Sequence, residues 1–186
     1  MAVQLAHYRF TRAEYHRMVE AGILTEDSPV ELIEGEILEM SPIGRRHRAG
    51  VDRLTEIFVP AVQGVAIVRV QSSIVLGERS EPEPDLALLR RRDDFYANAD
   101  ETPEDVLLVV EVADSSEVYD RQTKASLYAR HGILELWIVS LNRDQILLHR
   151  DPTPGGYATL RVARRGESIS PLAFPQLTIA VDAILG

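Results

Sequence analysis

Residues Val106–Tyr128 read VLLVVEVADSSEVYDRQTKASLY, and the rest of the chain is organised around them. The stretch begins as an apolar run with one carboxylate, Glu111, set among valines and leucines. It turns through Ala113-Asp114-Ser115-Ser116. It then takes on helical spacing, with Asp120, Lys124 and Tyr128 at i, i+4 intervals and so on one helix face. A carboxylate inside an apolar strand is destabilising unless a counter-charge or a metal ion meets it. Lys124 is the only lysine in the chain and lies thirteen residues after Glu111. A period of two along the strand puts Leu107, Val109 and Glu111 on one face.

Working outward, 186 residues suit one domain with a full hydrophobic core. No apolar run reaches the roughly 18 to 20 residues of a membrane span. The first residues, MAVQLAHYRF, show no signal-peptide pattern. The absence of cysteine excludes disulfides and cysteine-bound zinc and fits a cytoplasmic protein. A net charge of -9 argues against non-specific coating of nucleic acid, which needs a basic surface. It leaves room for a local basic patch. Arginines cluster at Arg45-Arg46-His47-Arg48, Arg90-Arg91-Arg92 and Arg164-Arg165, with a solvated surface as the competing reading.

Thr11-Arg12-Ala13-Glu14 predicts a capping box and a helix to about Ala21. Val30 to Met40 reads as strand, with Gly35 marking a turn between two short strands. Apolar positions Val51, Leu54, Ile57, Phe58 and Ala61 predict a long amphipathic helix over Arg46–Val62. Ala66–Leu76 alternates as a strand. A charged, proline-bearing loop then delivers Asp85 to a strand over Leu86–Leu89. A helical turn is expected near Asp93–Tyr96. The central strand Val106–Val112 precedes a helix over Tyr119–His131. Further strands are expected at Leu134–Val139, Gln145–His149, Tyr157–Val162 and Leu177–Val181. The pattern predicts an α/β (α+β) fold: a mixed central sheet flanked by helices, with an N-terminal helix and β-hairpin.

If the strands starting at Asp85 and ending at Glu111 are neighbours, two carboxylates converge at one sheet edge. Hard cations such as Mg²⁺ or Mn²⁺ take such oxygen ligands and keep several waters. The Val112 carbonyl is a further candidate ligand. The Lys124 ammonium would position the attacking water and offset charge on a phosphate. Each residue has a plainer reading. Asp85 would be a turn residue, Asp120 and Lys124 an exposed ion pair, and Tyr128 core packing. His47 is a candidate to face the site, against a capping or surface role. Glu34 is a candidate third carboxylate, against a solvated hairpin. Scattered histidines without a His-x3-His pattern argue against histidine-bound zinc.

At these residues the chain resembles the Uma-two family of proposed endonucleases, in the PD-(D/E)XK restriction-endonuclease-like superfamily. The resemblance runs through EYHRMVEAGILTEDSPVELIEGEILEMSPIG, SEPEPDLALLR and EDVLLVVEVADSSEVYDRQTKASLYARHGILELWIV. It implies that Pro84-Asp85 is the family's PD element and Glu111 its second acid. The superfamily's lysine two residues on is replaced here by Ala113. The resemblance implies that Lys124 takes its place, within a D-x3-K-x3-Y pattern met by Asp120, Lys124 and Tyr128. Glu34 matches an acidic hairpin position. Ser140 and Ser73 depart from residues common in the family, outside the proposed ligand set.

The expectation is a Mg²⁺- or Mn²⁺-dependent endonuclease acting on DNA, with no membrane association. A homodimer would suit cleavage of two strands. The alternative is a catalytically inactive nucleic-acid-binding or protein-interaction module on the same fold. A glycosidase built on two acids is disfavoured by the single lysine and the scarcity of aromatic residues.

Overall fold

The computed structural model describes residues 7–25, 28–41, 43–114 and 120–186. Its centre is a six-stranded sheet in the order β3-β4-β5-β6-β7-β8. The strands are β3 (Ala66–Val70), β4 (Leu86–Arg90), β5 (Val106–Ala113), β6 (Glu135–Ser140), β7 (Gln145–Thr153) and β8 (Gly156–Arg164). Only β5 and β6 run parallel within this sheet. Parallel neighbours need a crossover, and the chain between them carries the helix that follows Glu111. The fold is thus the expected mixed α+β arrangement.

Both faces of the sheet are covered. Helix α2 (Arg45–Ala61) lies on one face. Its Val51, Leu54 and Phe58 pack with Leu108, Val110, Val112 and Trp137. The C-terminal helix α4 (Val181–Leu185) joins that cluster through Val181, Ile184 and Leu185. On the other face, helix α3 (Ala125–Arg130) brings Leu127 and Tyr128 against Val109, Ala113 and Leu136. Ile33 of the N-terminal hairpin and the buried Ile74 and Leu76 close this second layer. Glu111 lies between Val110 and Val112 of the first cluster, so its side chain belongs to the second face.

Local chemistry explains most element ends. Thr11 caps helix α1 (Arg12–Glu20) in a reciprocal box with Glu14. Strands β1 (Val30–Ile33) and β2 (Glu36–Glu39) form a hairpin around Glu34 and Gly35, both at positive φ (50° and 82°). A Cβ on Gly35 would lie 2.8 Å from the Arg9 Cβ, so only glycine fits that turn. Gly132, at φ 78°, stops α3. Short strands β9 (Ser168–Ile169) and β10 (Ile179–Ala180) pair separately.

The structure corrects several boundaries. The strand expected over Ala66–Leu76 ends at Val70, because Gln71 turns at φ 44°. Ile74 and Leu76 instead donate backbone hydrogen bonds to Pro82 and Ser80. Asp93–Tyr96 forms turns, with Phe95 and Tyr96 both at positive φ. A short 3₁₀ turn at Pro103–Asp105 was not foreseen. Leu107 does not share a face with Val109. Leu88 pairs with Leu108 and Leu89 with Val106, leaving Leu107 in a bulge that breaks the alternation. The expected helix over Tyr119–His131 begins with a π-helical turn, Asp120–Lys124, and becomes α-helical only at Ala125. Among the described residues no helix is long and apolar enough to cross a membrane.

Glu81 ties the N-terminal helix to the rest of the chain. Its carboxylate accepts from Arg12 Nε and His16 Nε2, each at 2.8 Å, and from the Ser73 hydroxyl at 3.1 Å. Burial pushes this carboxyl up, but the bonds from Arg12 and His16 outweigh it and hold it below the ordinary value. A carboxyl depressed in the folded state adds stability above its unfolded pKa and loses it as pH falls through the folded value. We predict that Glu81→Gln lowers stability by about 1–3 kcal/mol at neutral pH. The loss of stability below about pH 4 should be shallower in the variant, as measured by urea denaturation across pH.

Candidate active site

The β4–β5 register pairs Leu86 with Val110 and Ala87 with Val109. Carried one step further, it sets Asp85 opposite Glu111. Asp85 is held there from two sides. The backbone N–H of Val112 donates to its Oδ2 at 2.7 Å. His47 Nε2 lies 2.9 Å from Oδ1 and 3.0 Å from Oδ2. His47 comes from the first turn of α2, and the seating of that helix depends on a glycine. A Cβ at Gly50 would lie 2.9 Å from Val112 Cγ1, so a larger residue would push α2 off β5.

Glu111 is 3% exposed, and its charge is met by the crossover that follows it. The Tyr128 hydroxyl donates to its Oε1 at 2.7 Å. Lys124 Nζ lies 3.3 Å from the same oxygen. The i, i+4 relation of Lys124 and Tyr128 therefore does place both on Glu111. The π-helical turn ending at Lys124 widens the backbone where the lysine enters the site, a distortion common at functional positions. The side chain of Asp120 lies outside what is described, as do residues 115–119.

Lys124 has a second partner that the sequence reading missed. Glu31 Oε2 stands 3.1 Å from Nζ, and Glu31 is 4% exposed. The same oxygen accepts from the Glu83 backbone N–H at 3.2 Å. Glu34, the candidate third carboxylate, sits instead at the hairpin turn and pairs with Arg130 at 2.7 Å, half-exposed. The available signal was the turn itself. Once Glu34-Gly35 is the hairpin loop, Glu31 and Ile33 share a strand face, and Ile33 belongs to the layer beneath Glu111.

The site carries an excess of negative charge. Glu31, Glu83, Asp85 and Glu111 gather around one lysine and one histidine. Burial and the neighbouring Glu31 push the Glu83 carboxyl above its ordinary range. Lys124 opposes the rise and Asp85 adds to it. Among the described residues no three histidine, aspartate or glutamate side chains form a ready metal cage. Two carboxylates with a backbone carbonyl nevertheless fit a hard cation that keeps several waters. Ala113 accepts from Leu141 on the β6 side, so the peptide groups of Val112 face the other way, towards Asp85.

The mixed six-stranded sheet flanked by helices is a fold that recurs among solved structures. It is shared with a solved structure from Anabaena variabilis described as a "putative nuclease belonging to DUF820". The two match with a TM-score of 0.74 at 16% identity, over 95% of this chain and 97% of the other. The chain belongs to the Uma2 family, described as "putative restriction endonuclease", whose pattern matches residues 12–182. A comparison with curated proteins gives no match.

The ion triplet makes a stability prediction independent of activity. Lys124→Met leaves Glu31 and Glu111 buried without their cation and should destabilise the fold by about 3–5 kcal/mol. Adding Glu31→Gln should restore part of that loss, because one uncompensated charge disappears. A double-mutant cycle by chemical denaturation would read the coupling. Simple additivity would show that the triplet does not act as a unit.

Proposed function

We propose that this protein is a divalent-metal-dependent endodeoxyribonuclease that hydrolyses phosphodiester bonds by direct attack of water. The observation that carries the reading is the convergence of Asp85, Glu111 and Lys124 on one strand end. Membership in a family described as "putative restriction endonuclease" supports it. Asp85, Glu111 and the Val112 carbonyl would hold Mg²⁺ or Mn²⁺. The bound cation would supply Lewis acidity towards the phosphate and a more acidic water.

The chain's own residues do the rest. His47 and the Val112 N–H fix the Asp85 carboxylate in one orientation. Tyr128 and Lys124 do the same for Glu111. Lys124 Nζ orients the attacking water and offsets negative charge that builds on the phosphate oxygens. The water oxygen forms a bond to phosphorus while the bond to the leaving sugar oxygen breaks. The water loses a proton and the leaving oxygen gains one. The products are a terminal phosphate and a hydroxyl. Two copies acting together would cut both strands of a duplex.

The test is incubation of the pure protein with plasmid DNA and Mg²⁺ or Mn²⁺, beside Asp85→Asn and Glu111→Gln. Cleavage should fall at least about a hundredfold in each variant and stop with chelator. His47→Ala should slow it less, since Val112 still orients Asp85. Cleavage equal in wild type and Asp85→Asn would reject the assignment. DNA binding without cleavage in either metal would favour an inactive binding module on the same fold.

A further inference from the structure

Two arginine clusters that lie more than a hundred residues apart in sequence meet in space. Arg45, Arg46 and Arg53 of α2 and Arg165 after β8 line one pocket of about 360 Å³. That volume lies within the range of small-ligand sites. Asp144 is the acidic side chain in its lining. In a chain of net charge -9, four guanidinium groups around one concavity are a strong local departure.

The pocket is built rather than fluid. Arg46 donates to the Leu141 carbonyl and to Asn142 Oδ1, the latter at 2.8 Å. Arg53 donates to the Leu185 carbonyl at 3.1 Å. Arg165 donates to Asp144 at 2.8 Å, and to Asp182 and the Gly186 carbonyl at 3.3 and 3.1 Å. A guanidinium carries five N–H donors, so these bonds orient the groups without exhausting them. Arg45 is exposed and makes no ion pair among the described residues.

Its position ties it to the active site. Arg46 immediately precedes His47, which holds Asp85. Arg46 also reaches Asp114, three residues beyond Glu111, at 3.4 Å. Arg46 thus links the lining of the pocket to the residue that follows β5, and the next residue on its helix contacts Asp85. The lining contains no aromatic ring to stack a base: beside the arginines stand one alanine, two leucines, Asp144 and the backbone of Gly186. Such a site suits a phosphate group and its sugar.

We propose that this pocket binds a backbone phosphate of the nucleic-acid strand, flanking the phosphate that is cut. The inference rests on the nuclease reading above and adds a sequence-independent anchoring subsite. It separates holding the strand, done by arginines, from reaction at the acidic cluster.

The experiment measures binding of a labelled DNA duplex by anisotropy, in the Asp85→Asn background that suppresses cleavage. Salt is varied from about 50 to 200 mM. Arg45→Gln and Arg165→Gln should each weaken binding roughly tenfold and lower the log–log salt slope by about 1. Arg161→Gln, on the exposed strand β8, should leave both quantities unchanged. Circular dichroism confirms folding, and the exposed Arg45 gives a variant with little structural role. Unchanged affinity and slope in the pocket variants, with the parent still binding, would overturn the subsite and leave the nuclease reading standing. A parent that binds no duplex overturns the subsite, and the separate cleavage assay then decides the nuclease reading.

Discussion

The Lys124 ammonium lies buried between the carboxylates of Glu31 and Glu111, at 3.1 and 3.3 Å, and three otherwise separate parts of the chain depend on it. Glu31 belongs to the N-terminal hairpin, Glu111 to the central strand and Lys124 to the crossover. Each of these groups alone would be strongly destabilising inside the protein. Together they offset one another, and the hairpin is thereby locked over the second face of the sheet. The arrangement also reaches Asp85. The Glu31 oxygen that meets Lys124 accepts the backbone N–H of Glu83, two residues before Asp85. A disturbance at the lysine is therefore transmitted to the backbone that presents the other acid.

Much of this was legible in the sequence, for physical reasons. Glu111 stood out because a carboxylate among valines needs a partner, and the only lysine followed within one crossover. Tyr128 was legible because residues four apart share a helix face, and Lys124, which caps Ala125–Arg130 in helical conformation, keeps that spacing to Tyr128. Asp85 needed an assumption about strand neighbours, which the antiparallel β4–β5 register supplies. What could not be read was long-range pairing. Glu31 lies 93 positions before Lys124, and no local periodicity links them. Glu34 was the more visible candidate because it matches an acidic position of the family's hairpin, yet the turn at Gly35 carries its side chain out towards Arg130. The bulge at Leu107 and the π-helical turn at Asp120–Lys124 were also hidden, since both depart from the regular periods on which such reading relies.

The two sides of the sheet contribute differently to the site. The crossover face supplies Glu31, Lys124 and Tyr128, a buried network whose members hold one another. The opposite face supplies α2, which contributes His47 from its first turn. That contribution depends on close packing. Gly50 lets the helix approach Val112, and Val112 donates its own N–H to Asp85. The residue that sets the height of the helix thus also fixes the carboxylate that the helix's histidine must meet. A change at Gly50 would act on Asp85 through both routes at once.

Charge distribution gives the arrangement its functional logic. A polyanionic strand approaching Glu31, Glu83, Asp85 and Glu111 meets repulsion unless a cation is present. Arginines placed among those acids would bind the carboxylates and close the site, because a guanidinium pairs with a carboxylate in the same fork geometry it uses for phosphate. Around the pocket they are instead held mainly by carbonyls and by acids outside that acidic cluster, through Arg46, Arg53 and Arg165. The first turn of α2 is the junction: Arg45 and Arg46 face the pocket, and His47 faces Asp85. On the proposed nuclease reading, the arginines that would attract the strand and the histidine that orients Asp85 thus follow one another on a single helical turn.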